Sequence, residues 1–236
     1  MRILVTRPEP DGARTAAALR ARGHDVMLAP VLRIELVPDV DLGSGPWAAI
    51  LITSANGARA AAGHARREEL LKLPVMAVGR NSAEAARAAG FTDVTSAEGD
   101  GRDLVRQIAA RFVGRPTPLL YLAGEDRARD LTGELGGLGI AVRSAVVYRA
   151  AKLTALPSDA QSALSAGRID AVVHFSRRSV EAYLDAAHAL LRHALAPTHY
   201  CLAGRAAEPL RAAGATQTRV AARPDEAALL ELIGTA

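Results

Sequence analysis

The residues of this chain best suited to chemistry are short hydroxyl-, glycine- and arginine-bearing segments and one tyrosine. The segments are Thr6-Arg7-Pro8, Thr53-Ser54-Ala55-Asn56, Gly79-Arg80-Asn81-Ser82, Gly124-Glu125, Ser176-Arg177-Arg178-Ser179 and Gly204-Arg205. Each follows an apolar run and precedes a helical pattern, so each is expected at the carboxyl end of a strand, where open parallel sheets bind ligands. Small residues let backbone N–H groups approach a ligand, and helix N-termini favour anions. Taken singly, a Ser or Asn at such a place is equally an ordinary helix cap. Their recurrence with arginine argues for an anionic ligand held by Arg7, Ser54, Asn56, Gly79, Ser82, Gly124, Ser176, Ser179 and Gly204. Tyr148, beside Arg149, is the candidate acid: a phenol there could protonate a leaving group, or could be a packing aromatic of a hinge.

Other chemistries lack their residues. The sequence has no GxGxxG fingerprint, no GxxxxGK[ST] loop and no GxSxG elbow. The histidines show no metal-ligand spacing. His174 reads as a core histidine within a strand, and His188 and His193 as exposed. Cys201 lies in an apolar strand and reads as a small buried hydrophobe. Trp47, after Gly45-Pro46, reads as a cap over a sheet.

The elements that must position these groups alternate strand and helix. Residues 2–6 and 25–29 flank a helical pattern at 12–22 that Gly23 stops, giving a βαβ unit. Further strands are expected at 48–53, 75–78, 93–96, 118–122, 171–175, 199–203 and 218–222. The pattern repeats: VMAVGRNSAEAARAAG (75–90) resembles YCLAGRAAEPLRAAG (200–214), AILITSANGA (49–58) resembles VVHFSRRSVEA (172–182), and Ile3–Gly23 resembles Leu119–Gly139. Equal halves result only if the opening unit joins the end of the chain. The expected domains are therefore 1–34 with 150–236, and an inserted 37–147. The crossing segments 31–37 and 145–151 are β-prone and suit a two-stranded hinge.

Composition bounds the class. The 236 residues suit one large or two small domains; half are apolar, but only 3% are aromatic, so the core must be aliphatic. Apart from Lys72 and Lys152 every basic residue is arginine, and the net charge is +4. Arginine matches carboxylates and phosphates, although a codon bias explains its abundance as well. Scattered arginines without interleaved aromatics do not read as a nucleic-acid surface. A single cysteine excludes an intrachain disulfide. No apolar run nears the ~20 residues of a membrane helix, and the first ten residues do not read as a secretory signal. A cytoplasmic monomer without nucleic-acid or membrane partners is the expectation.

Across nearly its whole length the chain resembles the uroporphyrinogen-III synthase family. The pieces are ILVTRP (3–8), ILITSANGA (50–58), VMAVGRNSAEAARAAG (75–90), LLYLAGE (119–125) with Leu131, Leu135 and Gly139, VVY (146–148), VVHFSRRSV (172–180) and CLAGRAAEPLRAAG (201–214). Their order and spacing carry the likeness. The resemblance implies two flavodoxin-like α/β domains with parallel sheets, joined by a two-stranded β linker, with the active site in the cleft. It implies a cofactor-free, metal-free lyase that closes hydroxymethylbilane, a linear tetrapyrrole polycarboxylate, into uroporphyrinogen III, losing water and inverting ring D through an azafulvene cation and a spiro intermediate. Tyr148 matches the family's linker tyrosine, the favoured proton donor to the leaving hydroxyl. Arg7 matches its first-strand arginine, and Ser54, Ser82 and Ser176 match hydroxyl positions, with threonine more usual at 82. Ala206 and Ala207 stand where the family often has threonine. An alternative without chemistry is a two-domain binding or sensory module for an anionic small molecule.

Overall fold

The computed structural model describes residues 1–97, 101–127 and 129–236. In chain order the elements are β1 (Arg2–Val5), α1 (Asp11–Arg20), β2 (Asp25–Leu28), β3 (Leu32–Leu36), β4 (Ile50–Ile52), α2 (Ala55–Gly63), α3 (Arg67–Leu70), β5 (Val75–Ala77), α4 (Gly79–Ala89), β6 (Val94–Ser96), α5 (Gly101–Phe112), β7 (Leu119–Gly124), α6 (Leu131–Gly136), β8 (Val142–Lys152), α7 (Ser158–Ser165), β9 (Ala171–His174), α8 (Arg177–Ala186), α9 (Leu191–Leu195), β10 (Thr198–Cys201), α10 (Gly204–Ala212), β11 (Thr218–Val220) and α11 (Glu226–Ile233). The chain divides into two compact units. Unit 1 is Met1–Arg33 with Ala151–Ala236, and unit 2 is Ile34–Ala150.

Unit 1 is a five-stranded parallel sheet in the order β11-β10-β9-β1-β2. Numbered along the unit this is the flavodoxin-like 2-1-3-4-5 order, with its switch point between β1 and β9. The strands are short apolar runs, as a sheet covered on both faces requires. Ile3, Val5, Val26, Ala171 and Val173 face α1 and α11 through Ala16, Leu19, Leu229 and Ile233. On the other face Val180, Cys201, Ala206, Ala207 and Leu210 form a smaller cluster. Cys201 is fully buried, as its apolar surroundings in the sequence suggest.

Unit 2 holds a six-stranded sheet in the order β3-β8-β7-β4-β5-β6, in which β8 through β6 pair in parallel. The edge strand β3 lies beside β8. Val37 N–H donates to the Val147 carbonyl and Leu153 N–H to the Val31 carbonyl, the opposing order of an antiparallel pair. The β-prone segments 31–37 and 145–151 thus do pair, although β8 is longer than its apolar core suggests, because the exposed Arg143, Arg149 and Lys152 dilute the hydrophobic signal. Two cores flank the sheet: Ile50, Ile52, Val75, Leu120 and Leu122 against the alanine faces of α2 and α4, and Leu51, Met76, Leu119 and Tyr121 against Leu104, Ile108 and Leu135. The α2 and α4 faces are built of alanine (Ala58, Ala61, Ala83, Ala86), which lets the helices lie close on the sheet.

When β7, β8, β4, β5 and β6 are matched to β1, β2, β9, β10 and β11, the two sheets have one spatial order. The pairing register agrees: Ile50 lies opposite Leu120 as Val172 lies opposite Leu4. The units are circular permutations of each other, with the β-α-β element first in unit 1 and last in unit 2. Most strands are shorter at their carboxyl ends than the apolar runs suggest. Residues 48–53, for example, yield only Ile50–Ile52, because Thr53 and Ser54 turn the chain into α2.

Candidate active site

In unit 2 the topological switch lies between β4 and β7, and the chemistry-bearing residues gather at their carboxyl ends. β4 leads to Ser54, the N-cap of α2, whose Oγ accepts the Asn56 N–H at 3.3 Å. The hydroxyl of neighbouring Thr53 is taken by Tyr121 Oη at 2.9 Å. β7 ends at the buried Gly124. β8 brings Tyr148, half-buried, over this corner.

A β-bulge is what aims Tyr148. Along β7 and β8 the register runs Ala123 to Val146 and then Gly124 to Tyr148, so Val147 is an extra residue on β8. Val147 is buried in the same cluster against which Tyr148 packs, a repetition that a regular strand's alternation forbids. The Tyr148 ring occupies the place of a side chain at position 124: a Cβ there would come within 2.7 Å of both Cζ and Oη. The Ser54 hydroxyl is the polar side chain that bears on the phenol. Burial raises its pKa above the usual tyrosine value, which the nearby Ser54 hydroxyl partly offsets and the Tyr121 phenol reinforces. The group is therefore protonated at neutral pH and positioned, which is what a general acid needs.

Ser54, Gly124 and Tyr148 thus meet at one corner, and Asn56 touches it through its N–H. The Asn56 side chain turns to Arg59, whose Nη1 donates to Oδ1 at 2.6 Å. Gly79 and Ser82 belong to α4, next along the sheet. Gly79 has φ +70° with open space beside it, and its helix has no side-chain cap. Ser82 is buried on that helix.

In unit 1 the switch lies between β1 and β9. Arg7 leaves β1 and is held: Nη1 donates to Glu226 at 3.1 Å and to Thr15 at 3.3 Å, Nη2 lies 3.6 Å from Asp11, and the guanidinium covers Phe175. Its charge is balanced within the unit. Ser176 caps α8 in a reciprocal capping box with Ser179: Ser176 Oγ accepts the Ser179 N–H at 3.1 Å, and Ser179 Oγ accepts the Ser176 N–H at 3.1 Å. Gly204 opens α10, which like α4 has no side-chain cap; behind it Ala206 and Ala207 are buried in its core face.

Beneath the unit 1 switch runs a buried polar chain. The His174 ring nitrogens lie 3.4 Å from Thr6 Oγ1 and 3.1 Å from His199 Nδ1, and Tyr183 packs edge-on to both rings while donating to the Ala194 carbonyl at 2.9 Å. His174 is thus the core histidine its strand position suggests. His199, its partner, carries no sequence signal beyond lying in a strand. Burial pushes both imidazoles well below the ordinary value, His199 to about 4. Among the described residues no His/Cys/Asp/Glu group is arranged to hold a metal.

Over residues 13–231 the sequence matches the family model described as Uroporphyrinogen-III synthase HemD. No curated protein matches it. Among solved structures, a uroporphyrinogen-III synthetase from Helicobacter pylori is similar at 20% identity and TM-score 0.66, over 99% of this chain and 98% of that one. A mutant uroporphyrinogen III synthase from Thermus thermophilus is similar at 20% identity and TM-score 0.52, over 99% and 97% of the two chains. At such identities these structures speak for the fold alone.

Proposed function

The chain belongs to the uroporphyrinogen-III synthase family, and from that premise we propose how its own residues serve the reaction. The family's reaction is a cyclising lyase step of tetrapyrrole biosynthesis: hydroxymethylbilane loses water and closes to uroporphyrinogen III with ring D inverted. Tyr148 is the proposed acid. Its Oη–H passes a proton to the leaving hydroxyl, the C–O bond breaks, and water departs as the pyrrole nitrogen lone pair forms the azafulvene cation. The substituted carbon of ring D attacks through the spiro intermediate, and the proton lost on ring closure matches the one the phenol gave. The observation that carries this reading is the seat of Tyr148: half-buried, aimed by a bulge and set against Gly124 at the carboxyl end of β7.

Most of the catalysis on this reading is orientation. Holding ring D so that its substituted carbon meets ring A is a proximity effect, and keeping water from the cation suppresses side reactions. The substrate's acetate and propionate groups suit the uncapped amino ends of α4 and α10, at Gly79, Ser82 and Gly204, where backbone N–H groups and the helix dipole favour carboxylates. Asn56, Ser176 and Ser179 line the remaining strand tips. Arg7, already neutralised by Asp11 and Glu226, enters as a brace of the β1 tip. We place the enzyme in the cytoplasm as a monomer, which light scattering would check. Among the described residues no helix is long and apolar enough to cross a membrane.

The test is purified protein with fresh hydroxymethylbilane and isomer analysis of the product. Uroporphyrinogen III above the spontaneous rate is expected; type I isomer alone, at the uncatalysed rate, would refute the reading. Tyr148→Phe should lower kcat by roughly one to two orders of magnitude, up to the lower end of what a general acid contributes. Unchanged turnover would reduce Tyr148 to a packing residue.

A further inference from the structure

We propose that Arg59 is a positioning residue for Asn56: it holds the side-chain amide by Oδ1, so that the Nδ2 protons are left to bind a carboxylate of the substrate at the carboxyl end of β4. The inference rests on the chain acting on a tetrapyrrole polycarboxylate, and it adds how one strand tip takes hold of an acid group.

Four observations carry it. First, Arg59 Nη1 donates to Asn56 Oδ1 at 2.6 Å, across the spacing at which side chains on one helix meet. A guanidinium can only donate, so the atom facing it is the carbonyl oxygen and the amide has one orientation; turned over, it would set N–H against N–H. Second, Nδ2 is the end left over. Asn56 is half-buried, and among the described residues no acceptor is bonded to its Nδ2. Third, the amide is not spent on the helix. Ser54 caps α2, its Oγ accepting the Asn56 N–H at 3.3 Å and its carbonyl the Gly57 N–H at 3.0 Å. Fourth, the packing does not ask for the pair. In the matched register the places of Asn56 and Arg59 are taken in α8 of unit 1 by Arg178 and Glu181, and that helix lies on its sheet in the same order. A guanidinium on Oδ1 also draws electron density from the amide nitrogen and makes Nδ2–H a stronger donor, so part of the Arg59 charge reaches the ligand through Asn56. An amide free to turn over would present its oxygen to the carboxylate as well, which repels it.

The experiment uses the full-length protein with Asn56→Ala and Arg59→Met, singly and together. Ala and Met are good helix formers, so the variants should keep α2. The 15N–1H signals of the side-chain amides read the free enzyme, with the Asn56 signal assigned by its loss in Asn56→Ala. In Arg59→Met it should move toward that of an exposed asparagine; a signal that stays put overturns the pairing, whatever happens to turnover. With hydroxymethylbilane as substrate, Asn56→Ala should raise KM roughly tenfold, the scale of one hydrogen bond to a charged group, with kcat little changed. Arg59→Met should raise KM by a similar factor on its own. In the Asn56→Ala background it should add no more than about twofold, the part owed to its charge at a distance. An undiminished rise there would mean that Arg59 acts on the substrate by its own charge or contact, and would overturn the positioning role. An unchanged KM in Asn56→Ala overturns the amide as the carboxylate's donor. If the wild type makes no uroporphyrinogen III, the reading of the reaction fails, and the same four proteins compared in Kd for uroporphyrin III, a stable polycarboxylate, decide the pair by the same factors.

Discussion

The buried imidazole pair of unit 1 makes its stability depend on pH in a way the rest of the fold does not require. Thr6 Oγ1 donates to the Val173 carbonyl at 2.9 Å, so it receives its second hydrogen bond from His174 Nδ1. His174 Nε2 is then an acceptor for His199 Nδ1–H, and His199 Nε2 has no well-formed hydrogen bond among the described residues. The groups around the pair are Thr6 from β1, Tyr183 from α8 and the carbonyls of Ala194 and Leu195, with no carboxylate among them to receive a charge. Either ring is therefore neutral when folded. The folded-state pKa lies below the unfolded one, so the stability concerned is fully present above the unfolded value of about 6.5 and is lost as pH falls toward the folded value. For His199, at about 4 when folded, the unfolded chain at pH 5 holds most of a proton that the folded chain refuses. That difference is worth about 2 kcal/mol at pH 5, and His174 adds to it in the same direction.

The assay is amide hydrogen exchange of the central strands β9 and β1, converted to opening free energy at pH 7.5 and pH 5, with the histidine Cε1 resonances followed in parallel. Unit 1 should lose about 2 kcal/mol or more on acidification, and His199→Val should show a flatter dependence even if it starts less stable. Two histidine resonances should stay at their neutral shifts through pH 5. If every histidine titrates near the ordinary value, or His199→Val retains the full slope, the neutral-pair reasoning is wrong.

Two further perturbations bear on the strand tips of unit 1. Ser176→Ala breaks the capping box of α8 and should cost about 1 kcal/mol by urea denaturation; no measurable loss would mean that Ser176 does not cap the helix in solution. Glu226→Gln removes the charge that accepts from Arg7, Arg14 and Thr15 and should cost about 1–2 kcal/mol, discounted for the partial exposure of the cluster, with a smaller loss in 1 M salt for wild type than for a solvent-exposed network. Equal stability of the two proteins would show that Arg7 is not held as described.

How much of this was legible depends on sequence distance. The alternating elements, the glycines that end helices at Gly90 and Gly214, and the order of the repeat are local or periodic, and the sheets have the order the repeat requires. The capping serines were legible only as one of two readings, since a Ser at a strand-to-helix turn caps a helix whether or not it meets a ligand. What decided Arg7 was Glu226, 219 residues away, and nothing near Arg7 announces it. The aim of Tyr148 was hidden for another reason. A bulge moves a side chain from one face to the other by one residue, and the VVY run reads identically with or without it.

The permuted repeat offers an internal control for the histidine pair. In the matched pairing register Thr6, His174 and His199 of unit 1 correspond to Leu122, Ile52 and Val75 of unit 2, and Tyr183 corresponds to Ala61. All four unit 2 residues are buried in one apolar cluster. The same sheet order is thus built with an aliphatic stack in one unit and a hydrogen-bonded polar chain with an aromatic lid in the other. The fold does not need the polar chain, since replacing all partners of a buried network by apolar groups can be neutral or stabilising, whereas removing one partner strands the rest. Thr6→Leu, His174→Ile and His199→Val together, with Tyr183→Ala if the larger ring no longer fits, should therefore fold, lose the acid sensitivity of unit 1 and be more stable at pH 5 than any of the single variants. A combined variant less stable at pH 5 than His199→Val alone would show that the polar chain contributes packing the aliphatic stack of unit 2 does not reproduce.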